Sequence, residues 1–151
     1  MKRSDLAREN FLKGYNCAQA VALAFSDVAG MSEEQLLKTL SPFGGGFGRL
    51  REVCGAFSAV TFVYGCVRGY CDPKDMQAKK AVYADIQAIA EECRKANGSI
   101  VCRELLGLSG KDSPAPAART EEYYKKRPCA EICAVSAQIL AEKLGLTERI
   151  N

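Results

Sequence analysis

The stretch CGAFSAVTFVYGCVRGY, residues 54–70, decides the fold. It is apolar nearly all round, which predicts a helix buried in the middle of a domain, although its aromatic and β-branched content leaves a strand open. The chain on either side reads as helical. Residues 4–13 fit a short helix closed by Gly14, and Asn16 opens a second that runs to Gly30 past the small residues Ala18, Ala20, Ala22 and Ala24. Ser32 and Gln35 form a capping box for a helix over 33–40. Downstream, Val82, Ile86, Ile89 and Cys93 recur at helical spacing within an amphipathic helix over 74–96, which Gly98 stops. Ser99 caps a short helix ended by Gly107, and a last helix covers 128–144 before Gly145.

Between these elements, LSGKDSPAPAART at 108–120 is a loop by its Gly, Pro and Ser content, with a surface stretch near 110–118, and EEYYKK reads as a turn. No segment alternates with period 2 and no internal repeat is found. The expectation is an all-α, single-domain, compact helical bundle of six to seven helices with a glycine-rich loop, spanning 1–151.

Eight cysteines in 151 residues are more than packing requires, because a chain of this size with 48% hydrophobic content buries an adequate core without staples. Histidine is absent, which removes the Ser-His and Cys-His arrangements and the commonest metal ligand. Any metal must then be held by sulfur or carboxylate. Cys17, Cys54, Cys102 and Cys129 each fall at the start of a predicted helix, with Asn16, Ser99 and Pro128 among the flanking signals. A helix start presents unpaired N–H groups and partial positive charge, which favours a thiolate over a thiol. Four neighbouring thiolates repel, so if these four converge they are protonated, paired as disulfides, or neutralised by a cation or an iron-sulfur cluster.

The remaining four carry weaker signals. Cys93 continues an apolar stripe and is read as packing; Cys66 and Cys71 flank VRGY, one read as packing and the other as exposed; Cys133, one helical turn below Cys129, is read as a core-facing residue in preference to a fifth functional thiol. FGGGFGR at 43–49 lacks the GK[ST] of a phosphate loop. Gly44, Gly45 and Gly46, with Gly55 beside Cys54, are candidates for a tight backbone wrap around a ligand or sulfur. A small-molecule carrier built on this loop is a further reading.

No stretch is apolar for the ~18 residues of a membrane span, and MKRSDLARENFLKG lacks the apolar core of a signal peptide. The expected location is therefore cytoplasmic, where abundant cysteine points to metal binding or redox work rather than structural disulfides. A net charge of +3, with both signs interspersed, argues against nucleic acid.

GYNCAQAV at 14–21, FGGGFGR at 43–49, CGAFSA at 54–59, CRELLG at 102–107 and CAEIC at 129–133, in that order, resemble the C-GCAxxG-C-C family of redox-active proteins over about residues 10–144. The resemblance implies that Cys17, Cys54, Cys102 and Cys129 are the redox-active positions, with Gly55 and Ala56 filling the motif. Ala59 stands where the motif ends in glycine, a mild change if that glycine served close helix packing and a change of local geometry if it served a left-handed backbone. Similar domains occur joined to electron-transfer modules. The expected function is thus a redox-active cysteine protein, using the four as iron-sulfur ligands or as a dithiol/disulfide centre with an electron donor or acceptor as partner. The alternative is a structural zinc module with the same four ligands.

Overall fold

In the computed structural model, which describes residues 1–150, the apolar stretch is helical from Gly55 to Arg68. Its first ten residues are where the burial lies: Ala56, Phe57, Ala59, Val60, Val63 and Tyr64 all face the core. Its last turn emerges into solvent, so Cys66 on that turn and Cys71 beyond it are both exposed, where one of the two was expected to pack. Ala59 sits mid-helix and fully buried, a position that needs no glycine conformation.

Eight α-helices make up the described residues. In chain order they are α1 (Arg3–Leu12), α2 (Cys17–Leu23), α3 (Glu33–Leu40), α4 (Gly55–Arg68), α5 (Met76–Asn97), α6 (Cys102–Leu106), α7 (Glu121–Lys126) and α8 (Cys129–Leu144). No strand is present among them, only two isolated bridges, Lys2 with Glu148 and Val53 with Val101. Helix α8 packs against α1, α2, α4 and α5, and α2 packs against α1, α3 and α4, so α2, α4 and α8 enclose the core.

The local signals explain most of the boundaries. Asn16 with Gln19, and Ser32 with Gln35, form reciprocal capping boxes at the starts of α2 and α3. Asp75 accepts from the Ala78 N–H at the start of α5, and Gly98, in left-handed conformation, ends it. The stripe of α5 is half-buried at Val82 and Ile86 and buried at Ile89 and Cys93, as its spacing predicts.

Three boundaries differ from the reading of the sequence. EEYYKK is a helix, not a turn: Thr120 accepts from the Tyr123 N–H, and acidic Glu121 and Glu122 lead into basic Lys125 and Lys126 along the macrodipole. This helix raises the number to eight. Helix α2 ends at Leu23 rather than Gly30, because the chain tightens into successive i→i+3 bonds from Ala24, Phe25 and Ser26, and the Ala24 carbonyl accepts from Arg3 Nη1 at 2.8 Å. Helix α6 begins at Cys102, with Ser99 bonding the Val101 N–H ahead of it.

Candidate functional site

Each of the four cysteines singled out by the sequence stands at a helix start: Cys17, Cys102 and Cys129 are first residues of α2, α6 and α8, and Cys54 is the N-cap of α4. Two short pairings bring these starts together. Cys54 N–H donates to the Ile100 carbonyl at 2.8 Å and Cys102 N–H to the Glu52 carbonyl at 2.6 Å, stitching the entrance of α4 to that of α6 around the Val53–Val101 bridge. At the entrance of α2, Asn16 Nδ2 donates to the Ser41 carbonyl. Gly55 lies so near that a Cβ there would stand 3.3 Å from the Cys17 Cβ.

Together the four sulfur-bearing residues line one cavity of about 270 Å³, as do Gly44, Gly45, Gly46 and Gly55. The glycine segment forms one wall by an unusual backbone path. Every residue from Gly45 to Arg49, and Arg51 after them, has φ between 58° and 69°. That left-handed run turns the chain tightly, with Gly48 N–H bonded to the Pro42 carbonyl and Glu52 N–H to the Gly46 carbonyl. Gly46 has no room for a side chain: a Cβ would meet the Cys102 Cβ at 2.6 Å. The loop at 108–120 is exposed on its outer side yet also roofs the cavity through Pro114, Pro116 and Ala117, because Asp112 is drawn down onto Arg51 at 2.8 Å and Arg49 at 3.7 Å.

Electrostatics separates the sulfurs. The sulfurs of Cys129 and Cys133 exert the largest influence on the Cys17 thiol. Cys129 works to lower the Cys17 thiol, but Cys133, burial and the neighbouring sulfurs outweigh it and hold the thiol well above its ordinary range. Cys17, and then burial, raise Cys129. Cys133 is lowered by its bond to Cys17, yet burial and neighbouring Cys54 and Cys129 leave it raised, and its Sγ faces the Cys17 carbonyl at 3.8 Å. Burial pushes Cys54 up to about 12, against the lowering influence of the backbone N–H groups of Phe57 and Ala56. Desolvation thus outweighs the helix start at Cys54, and these buried thiols are held protonated. Cys102 has a different partner, Arg51 Nη1 at 3.5 Å.

Cys17, Cys129 and Cys133 thus act on one another as one cluster of thiols. Cys133, read from the sequence as packing, belongs to the cluster; its i,i+4 spacing from Cys129 was the available signal. The arginines lining the cavity, Arg49, Arg51, Arg119 and Arg127, carried no local signal. Cys93 stays in the core beside Ser136. Among the described residues no group of three or more Cys, Asp or Glu side chains is arranged to hold a metal ion. No helix of the described residues is long and apolar enough to cross a membrane.

Fold and site thus define an all-α protein with cysteines gathered at helix starts around a cavity. The chain belongs to the family whose model is described as "Putative redox-active protein (C_GCAxxG_C_C)", matched over residues 15–143. No curated protein and no solved structure matches it.

Proposed function

We propose that the protein is a thiol-disulfide redox protein whose working pair is Cys17 and Cys129. The observation that carries this reading is the cavity that Cys17 and Cys129 line together with Cys54 and Cys102, each of the pair being the first residue of its helix. Cys17 is the most exposed of the four, which suits it to meet an incoming disulfide first. Its sulfur displaces one half of a substrate disulfide, which leaves as a thiolate and takes up a proton. Cys129 then displaces the other half. Two protein thiols become one disulfide, and the substrate disulfide becomes two thiols, so two electrons and two protons move together. Cys133, behind Cys17 and outside the cavity lining, positions the pair.

The test is to equilibrate the protein in a dithiothreitol redox series, quench in acid, unfold, alkylate and locate the labels by mass spectrometry. Cys17 and Cys129 are expected to lose label together in one two-electron transition between about −180 and −320 mV, the span of cellular thiol buffers. Labelling of both throughout the series overturns the reading. Iron and zinc are measured on the same anaerobic preparation, expected colourless. Stoichiometric iron with visible absorption reassigns Cys17, Cys54, Cys102 and Cys129 as cluster ligands. One equivalent of zinc, with unfolding by a chelator, makes the site structural.

A further inference from the structure

The cavity carries an uncompensated charge that the dithiol reading alone does not use. Four arginines line it and no Asp or Glu does. Arg49 and Arg51 are already paired with Asp112, and Arg51 also reaches Cys102. Arg119 and Arg127 have no carboxylate partner among the described residues. Arg119 is fixed by donating to the Phe11 and Tyr15 carbonyls, both at 3.1 Å, and lies over the Phe11 ring at 4.3 Å and the Tyr123 ring at 5.0 Å. Arg127, two residues before Cys129, lies over Tyr123 at 5.6 Å. Two held cations thus face the same space as the Cys129 sulfur. The rest of the wall on that side is apolar: Leu105, Leu106, Ile132 and Pro116.

Size sets the second constraint. A volume of about 270 Å³ is below the roughly 300–1,000 Å³ of pockets that take drug-sized ligands. Cys54, Cys102 and Cys129 are each only 7–8% exposed, too recessed for the disulfide of a folded protein to reach them.

Resting on the dithiol reading, we propose that the substrate is a small anionic disulfide. Its carboxylate or similar acidic group pairs with Arg127 and Arg119, its short apolar chain lies along Leu105, Leu106 and Ile132, and its S–S bond meets Cys17 and Cys129. Reduction of this disulfide by the two protein thiols yields two small acidic thiols and the Cys17–Cys129 disulfide.

Three disulfides of matched length and different charge test this: dithiodipropionate (dianion), bis(hydroxyethyl) disulfide (neutral) and cystamine (dication). Each oxidises the reduced protein at low salt, followed by acid quench and alkylation, and each rate is divided by that of the same disulfide with mercaptoethanol. The corrected rates are expected to fall from dianion to neutral to dication by at least about tenfold across the series, converging as salt rises, as charge focusing in a cleft predicts. Arg127→Gln lowers the dianion-to-neutral ratio and Arg127→Lys largely retains it; the salt dependence of the unaltered protein reads the same charge without a variant. Equal corrected rates, or cystamine fastest, overturn the anionic substrate while leaving the dithiol pair standing. Failure of all three to oxidise Cys17 and Cys129 overturns both.

Discussion

A thiol removed from water resists losing its proton, and Cys54 expresses that as a pKa near 12 against an ordinary 9.0. The consequence for stability has a definite sign. Between those values the unfolded chain releases a proton that the folded chain keeps, so the contribution is complete below pH 9 and is lost as pH rises towards 12. Denaturant titrations under reducing conditions should show stability falling by roughly 1.4 kcal/mol per pH unit for this one group above pH 9. Cys54→Ala should flatten the slope; an unchanged slope would mean the thiol is not buried in this way. At this scale the sequence was informative about the four helix-start cysteines, because Asn16 and Pro128 are local signals that act within one turn. It was silent about Arg119 and weak about Cys133, because their neighbours lie about a hundred residues away and meet them only through packing.

Among the elements, the left-handed turn at Gly45–Arg49 couples the cavity wall to the backbone. Phe47, Arg49 and Arg51 take conformations that L residues disfavour, each costing of order 1–3 kcal/mol, and Asp112 of the loop at 108–120 holds the two arginines there. Two glycines of this turn separate strain from space. Gly48 has φ 58° with nothing near its missing Cβ, whereas Gly46 has φ 68° and a Cβ there would crowd Cys102, Glu52 and Arg51. Gly48→Ala should therefore cost about 1–2 kcal/mol, and Gly46→Ala more than about 3 kcal/mol, measured by urea denaturation. Equal losses would remove the close approach to Cys102. Helices were legible where a capping box or an apolar stripe marked them, as at Asn16, Ser32 and α5. The glycine segment showed only that an uncommon backbone was allowed, not its hand, and the end of α2 was hidden because Arg3, from another helix, takes the Ala24 carbonyl.

For the molecule as a whole, that same Arg3 ties the two ends of the chain to α2. Fully buried, it donates to the Leu146 carbonyl at 2.6 Å, the Ala24 carbonyl at 2.8 Å and Asp27 at 2.6 and 2.9 Å. Asp27→Ala leaves this guanidinium without its counter-charge and should cost about 3–5 kcal/mol by urea denaturation, with Arg3→Met added to Asp27→Leu recovering much of it. A loss under about 1 kcal/mol would contradict the buried pair. No pattern in the sequence links positions 3, 27 and 146, since only the docking of α1, α2 and α8 brings them together. The same docking carries the central claim, because Cys17 and Cys129 are first residues of α2 and α8. The direct measurement is peptide mapping of the oxidised protein without reduction. A single linked pair of peptides containing Cys17 and Cys129 is predicted, lost in Cys17→Ser and kept in Cys133→Ser. Oxidised protein with both thiols free, or with Cys129 linked elsewhere, would contradict it.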